Sequence, residues 1–126
     1  MLQEYEIQFR VRYQETDAQG RVHHANYINY FEMGRVELLR ACGFSYWKLE
    51  ESGVILVVTE ISCRYYQPAT FDDLLRLKTR VVRIGGARIE HEYAAYRADE
   101  LLAEGRSVVA CVDPTGKAQR LPPYLR

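Results

Sequence analysis

One stretch of helical periodicity stands in an otherwise strand-like chain, and this constrains the fold more than any other feature. From His24 to Cys42, the residues Tyr27, Phe31, Gly34, Leu38 and Cys42 recur every three or four positions, with Ile28, Arg35 and Leu39 beside them. That spacing predicts an amphipathic helix of about five turns, closed by Gly43, a residue that tolerates a left-handed cap. Gly34 in its interior costs the helix about 1 kcal/mol relative to alanine, which a close approach to a neighbouring segment offsets. A short second helix is predicted from Ser45 to Glu51, stopped at Gly53.

The rest reads as β-structure. Tyr5, Ile7, Phe9, Val11 and Tyr13 alternate with Glu6, Gln8, Arg10 and Arg12, the period of a half-buried strand. Val54 to Tyr66 is a long β-branched and aromatic run, broken by Pro68, and Asp72-Asp73 mark a turn. Leu75, Leu77, Thr79 and Val81 alternate with Arg76, Lys78 and Arg80; after a Gly85-Gly86 hairpin, Ile89, His91, Tyr93 and Ala95 alternate with Glu90, Glu92 and Ala94. Asp99-Glu100 turn the chain into a last strand from Leu102 to Val112, ended by Asp113-Pro114-Thr115-Gly116. The short turns predict antiparallel neighbours, and the whole is an α+β domain. An exposed edge as long and apolar as Val54–Tyr66 is a pairing hazard. A symmetric dimer that continues the sheet removes it, so a homodimer at least is expected.

With 126 residues, the chain is expected to form one domain over 1–126. Lys plus Arg number 17 and Asp plus Glu 17, so there is neither a whole-body basic field for nucleic acid nor an acidic tail. No apolar run approaches the ~18 residues of a membrane span, and no membrane insertion is expected. Cys42, Cys63 and Cys111 are too few and too widely spaced for a disulfide framework or a Cys-x-x-Cys metal site. They read as thiols in a reducing compartment. Acidic residues at Glu4 and Glu6, where a leader needs bases, complete the expectation of a cytoplasmic protein.

Chemistry concentrates before the long helix, where Asp17, Gly20, His23, His24 and Asn26 lie within ten residues. Unpaired N–H groups of a starting helix carry partial positive charge and polarise a carbonyl. A nearby carboxylate supplies a nucleophile or a base on water. Together these are two parts of an acyl-hydrolysis site. On local grounds Asp17 and Asn26 serve equally well as turn or capping residues. Adjacent His23 and His24 lack a third ligand at helical spacing, so no metal is expected. His91, on an apolar strand face, reads as a hydrogen-bonded core histidine. Glu32, Arg35, Glu37 and Arg40 read as surface ion pairs, and no Gly-x-Ser-x-Gly elbow is present.

The run Tyr13-Gln14-Glu15-Thr16-Asp17-Ala18-Gln19-Gly20-Arg21-Val22-His23-His24-Ala25-Asn26-Tyr27, with Tyr30-Phe31-Glu32 and Arg35-Val36-Glu37 after it, resembles the signature of hotdog-fold acyl-CoA thioesterases. The likeness is to the 4-hydroxybenzoyl-CoA thioesterase group, including its Tol–Pal-associated branch. Tyr65-Tyr66-Gln67-Pro68-Ala69 with Asp72-Asp73 is similar to the family's Tyr-x-x-Pro-Ala segment. The resemblance implies a hotdog fold, a five-stranded antiparallel sheet wrapped around one long helix, and hydrolysis of acyl-CoA without a cofactor. It implies that Asp17 is the catalytic aspartate and that the backbone N–H at or near His24 polarises the thioester carbonyl. It gives Gly20 the loop turn, and Asn26 and Tyr27 positioning roles. It places the site between subunits of a homodimer or homotetramer, with the partner's Val57, Val58, Thr59, Glu60, Ile61, Ser62 and Cys63 lining the acyl pocket. Arg64, Arg83 and Arg88 are candidates for the CoA phosphates. His23, where the family commonly has tyrosine or tryptophan, makes the pocket mouth more polar. Two other readings use the same residues: an acyl-thioester hydratase or dehydratase pairing His23 or His24 with Asp17 or Glu32, and a non-catalytic acyl-thioester-binding module.

Overall fold

A computed structural model describes residues 3–126; of the N-terminal segment considered above, Met1 and Leu2 lie outside the described residues. The chain runs β1 (Glu4–Arg10), α1 (Asn26–Ala41), α2 (Tyr46–Glu51), β2 (Ile55–Tyr65), β3 (Leu74–Gly85), β4 (Arg88–Arg97) and β5 (Glu100–Val112). The five strands form one antiparallel sheet in the order β1-β3-β4-β5-β2, and α1 lies across one of its faces.

The strand alternation holds closely in the centre. Leu75, Leu77, Thr79 and Val81 of β3 and Ile89, His91, Tyr93 and Ala95 of β4 are all buried under the helix, while Arg76, Lys78, Arg80, Glu90 and Glu92 turn to the outer face. The first strand is shorter than its pattern suggests. After Val11 the chain bends into a 3-10 turn over Tyr13–Glu15, which leaves Tyr13 exposed instead of extending the apolar face.

The expectation that short connections join neighbouring strands fails once. The segment 66–73 between β2 and β3 crosses the sheet's end, so β2 pairs with β5 and β3 with β1. Pro68 cannot donate to a ladder, and the crossing is held otherwise. Val22 N–H donates to the Ala69 carbonyl (2.8 Å). Asp73 Oδ2 accepts from Thr70 N–H (2.8 Å) and from Arg97 (2.7 Å), and these hydrogen bonds lower the Asp73 pKa against a smaller opposing effect of burial than their sum. β2 is left as an 11-residue edge with Val57, Val58 and Ile61 exposed.

The core has two apolar halves. One gathers Tyr30, Phe31, Leu75, Leu77, Ala95 and Leu102 around the first turns of α1; the other gathers Leu38, Leu49, Ile89, Val109, Leu121 and Leu125 under its end. Each large side chain so buried contributes about 2 kcal/mol. Between the halves lies a buried polar belt of Thr79, His91 and Ser107. Arg35 turns inward to this belt instead of joining a surface pair: its guanidinium donates to the Tyr93 hydroxyl (3.0 Å), which shares a 2.5 Å hydrogen bond with Ser107 Oγ. Glu37 and Arg40 do form the surface pair expected of them. His91 is buried as expected, but its Nδ1 has no partner, because its neighbours across the strands satisfy one another. Burial, reinforced by the Arg35 charge, lowers its pKa from 6.5 to about 4.

Two predictions follow from this packing. A Cβ on Gly34 would lie 2.2 Å from Thr79 Oγ1, so Gly34→Ala loses about 1–3 kcal/mol of stability despite its better helix propensity. Thr79→Ala in the same chain recovers most of that loss, measured as a double-mutant cycle in urea. Unfolded His91 binds a proton below 6.5 that the folded residue refuses until about 4. Stability therefore falls as pH drops through that window, by roughly 3 kcal/mol in full. His91→Leu flattens the decline in urea midpoint between pH 7.5 and pH 4.5; equal declines in both proteins exclude this origin.

Candidate active site

The loop before α1 is built around Glu15, a buried carboxylate that sequence reasoning passed over. Its Oε1 accepts from Arg12 N–H (2.8 Å) and from the buried Tyr30 hydroxyl (2.9 Å), and its Oε2 meets the Arg12 guanidinium (3.1 Å). Its backbone carbonyl accepts from His23 N–H (2.9 Å) and from Asn26 Nδ2 (2.8 Å). Burial and the Glu15 charge together push the Tyr30 hydroxyl far above the usual tyrosine range, so it stays a proton donor. One residue thus ties the 3-10 turn, the loop and the helix together. The signal in the sequence is the Arg12–Glu15 spacing, the i, i+3 interval of a capping box.

From that anchor the chain makes a tight reversal. Thr16 bridges to Val22, Asp17 N–H donates to the Arg21 carbonyl (2.8 Å), and Gly20 N–H donates to the Asp17 carbonyl (2.9 Å). Gly20 has φ +79°, a conformation that favours glycine. Asp17 is half-buried. Its Oδ1 accepts from Gln19 N–H (2.9 Å) and more distantly from Arg21 N–H (3.4 Å), while Oδ2 has no hydrogen-bond partner among the described residues. The carboxylate is therefore oriented by one oxygen and available through the other.

The helix start supplies the second component. Asn26 N–H donates to the His23 carbonyl, Tyr27 N–H to the His24 carbonyl, and Ala25 N–H to His23 Nδ1 (3.1 Å). His24 N–H has no acceptor among the described residues. The Tyr65 hydroxyl donates to the His24 carbonyl (3.0 Å), fixing the peptide that follows. The Tyr65 pKa is raised to about 12, chiefly by desolvation, so this donor is protonated at neutral pH.

Asp17, Gln19, Arg21, Val22, His24, Tyr27, Tyr65, Tyr66, Gln67 and Pro68 enclose a cleft of about 250 Å³. Tyr27 is buried except where it reaches this cleft, and burial raises its pKa to about 12, making it another neutral donor. Asn26 serves the scaffold: besides Glu15 it is bonded to Asn29 (3.1 Å). Tyr30 and Phe31 belong to the core, whereas Tyr65 and Tyr66 are exposed at the cleft.

The remaining predicted residues lie elsewhere. Val57–Cys63 occupy the β2 edge, with a register shift between Val58 and Glu60. Val58, Ile61 and Cys63 stand opposite Val109, Ser107 and Gly105 on the helix side; Val57, Glu60 and Ser62 turn outward, and Thr59 sits in the bulge, bonded to the Val108 carbonyl (3.2 Å). Burial raises the Cys63 thiol pKa. Arg64 is next to Tyr65. Arg83, 3.6 Å from Glu90, and Arg88, opposite Ala110, lie at the far hairpin, roughly 20 Å along the strands from the cleft. Among the described residues, no group of three or more His, Cys, Asp or Glu side chains is placed to hold a metal ion, and no helix is long and apolar enough to cross a membrane.

The five-stranded sheet curled against α1 is a hotdog fold, and Asp17 and His24 line one cleft at the helix start. Comparison with known proteins agrees: residues 11–126 match the Thioesterase-like superfamily, and the chain belongs to that family. It is 38% identical over 106 residues (83% of this chain, 79% of the relative) to the acyl-CoA thioester hydrolase YbgC of Escherichia coli O6:H1. It is 40% identical over 105 residues (82% and 77%) to the acyl-CoA thioesterase YbgC of Haemophilus influenzae. Among solved structures, a DHNA-CoA thioesterase from Staphylococcus aureus superposes with a TM-score of 0.90 at 29% identity, covering 94% of this chain and 80% of that one.

Removal of the Glu15 side chain strands the buried Tyr30 hydroxyl. Glu15→Ala is expected to lose about 1–3 kcal/mol in urea unfolding. Tyr30→Phe in the same protein restores part of that loss; no restoration would show that Tyr30 does not depend on Glu15.

Proposed function

We propose that the cleft beside the α1 N-terminus hydrolyses acyl-CoA thioesters to the free acid and CoA. The observation that carries this reading is that one cleft is lined both by Asp17, whose Oδ2 has no hydrogen-bond partner among the described residues, and by His24, whose N–H has no acceptor among them. The thioester carbonyl oxygen takes its hydrogen bond from His24 N–H, where the helix start adds partial positive charge. Asp17 supplies the attack on the carbonyl carbon in one of two ways: it deprotonates a water that adds to the carbon, the C–S bond breaking to give the free acid and the CoA thiolate, or it adds directly, expelling the thiolate and forming an acyl-Asp17 anhydride that water then opens to the free acid. Thioesters are activated enough that a carboxylate and one backbone dipole suffice. Gly20 shapes the loop, and Asn26 and Tyr27 hold the helix entrance and the cleft wall. The acyl-CoA thioesterase names of the YbgC relatives support the substrate class.

We also infer a homodimer or homotetramer in which β2 edges meet, so that the partner's Val57–Cys63 strand closes the acyl side of the cleft. The exposure of Val58 (46%) and Tyr65 (48%) on a long unpaired edge supports this. Arg64 then lies beside the cleft of its own chain, and Arg83 and Arg88 are the residues available to the cleft of another. The three widely spaced cysteines fit action in the cytoplasm.

Asp17→Asn preserves an oxygen acceptor for the loop but removes the attacking carboxylate. It is expected to lower kcat by about 10²–10⁴-fold with little change in melting temperature, in a thiol-release assay over short, long and aromatic acyl-CoAs. Near-native turnover of every accepted thioester sinks the assignment. Two measurements separate the routes: in single-turnover hydrolysis in H₂¹⁸O, label in the Asp17 carboxylate marks direct attack with the anhydride opened at the Asp17 carbon, and rapid-quench trapping of an acyl-enzyme marks direct attack whichever carbon water takes. For assembly, Ile61→Arg is expected to shift sedimentation of the native oligomer toward monomer and to depress turnover with it.

A further inference from the structure

At the start of α1 the His24 carbonyl is held from outside the helix. Its helical donor, Tyr27 N–H, stands off at 3.4 Å, beyond the roughly 2.7–3.2 Å of a good N–H···O bond. The Tyr65 hydroxyl lies nearer and donates at 3.0 Å. That hydroxyl sits on a rigid arm. Tyr65 is paired with Ala103 in the sheet, and Tyr66 N–H donates to the Leu102 carbonyl at 2.8 Å. The Tyr65 ring meets the Tyr27 ring edge to face at 5.4 Å and the His24 imidazole at 6.5 Å. On the other side of the same peptide, Ala25 N–H donates to His23 Nδ1 at 3.1 Å. The peptide between His24 and Ala25 is thus fixed at its oxygen by the sheet and at its nitrogen by the loop.

The His24 N–H and the His24 carbonyl flank one Cα, beside a cleft that His24 and Tyr65 both line. A carbonyl oxygen with unclaimed lone pairs presents partial negative charge. Next to a thioester oxygen that gains negative charge in the transition state, it works against the N–H donor. A hydrogen bond from Tyr65 occupies that oxygen and needs no reorganisation as the reaction proceeds. It also opposes the movement that the long 3.4 Å bond invites, in which the carbonyl swings toward Tyr27 N–H and takes His24 into the helix. We propose that Tyr65 is a positioning residue for thioester hydrolysis: its hydroxyl holds the His24 carbonyl off the developing oxyanion and keeps the His24 N–H set toward the substrate. Tyr65 acts through His24 and takes no part in making or breaking bonds. The inference rests on the acyl-CoA reading above and adds to it the residue that holds the backbone donor in place.

The test uses the intact protein and Tyr65→Phe, which keeps the ring contacts and removes the hydroxyl. For an acyl-CoA, kcat is expected to fall about ten- to a hundredfold, short of the roughly 10²–10³-fold loss that follows removal of a direct oxyanion donor. KM and melting temperature are expected to change little. A second measurement reads the hydroxyl itself. The donor is present while Tyr65 is protonated and is lost as pH rises through its pKa of about 12, so over the alkaline range below that value the native kcat has no decline from this group. A 3,5-difluorotyrosine in place of Tyr65 is a stronger acid, and its kcat is expected to decline with rising pH where the native kcat is level. Tyr65→Phe, lower from the start, is expected to show no such decline. A kcat in Tyr65→Phe within about twofold of native overturns the proposal. So does a difluorotyrosine profile that superimposes on the native one, a loss confined to KM and melting temperature, or a kcat loss that disappears at concentrations where sedimentation shows the native assembly. Hydrolysis that needs Asp17 but not Tyr65 removes this role alone. Absence of hydrolysis of any acyl-CoA by the native protein removes the hydrolytic reading and this role with it.

Discussion

The Glu15 carboxylate is the interaction on which the rest of the site depends. It is a buried charge, tolerable only because Arg12 neutralises it and hydrogen bonds occupy both oxygens. Those bonds reach in two directions, to the turn that follows β1 and to the first turns of α1. Its backbone carbonyl completes the junction by taking His23 N–H and the Asn26 side chain. The loop carrying Asp17 therefore has fixed ends, and its own internal bonds leave little freedom between them. The orientation of one carboxylate oxygen and the vacancy on the other are products of this framework.

The helix that presents the backbone donor is seated with comparable rigidity. Gly34 lets α1 descend onto Thr79, and Gly105 lets the Phe31 ring press against the sheet, where a Cβ would come within 2.2 Å of it. Phe31 in turn stacks on Tyr93 at 4.4 Å, and Tyr93 connects through its hydroxyl to Arg35 and Ser107. The polar belt thus fixes the helix from beneath at a depth set by two residues without side chains. Close-packed interiors respond poorly to added volume, so the axial position of the helix start is tightly determined.

Much of this was legible from residue order. Alternation located the central strands because both β3 and β4 have one face buried and one charged, and period-two patterns are unambiguous there. The helical stripe and Gly43 set α1 to within a few residues. The Asp17–Tyr27 run marked the family through its resemblance to thioesterases and pointed to the loop proposed as the site. What stayed hidden depends on contacts distant in sequence. No local pattern says that the chain crosses from β2 to the opposite edge, since the crossing segment is as short as a hairpin. Arg35 reads as a surface charge until the belt beneath it is known. The unpaired state of His91 reflects how Tyr93, Ser107 and Arg35 bond among themselves. Glu15 looked like one polar loop residue among several, and the free His24 N–H is the remainder after its neighbours' bonds are assigned.

The hydrogen bond from Tyr65 to the His24 carbonyl joins the last residue of the exposed β2 edge to the peptide unit next to the His24 N–H, the proposed carbonyl donor. Under the proposed assembly and the proposed role of that peptide, whatever docks along the border strand bears on the reacting end of the substrate through a single phenol, with Tyr65 as the joint.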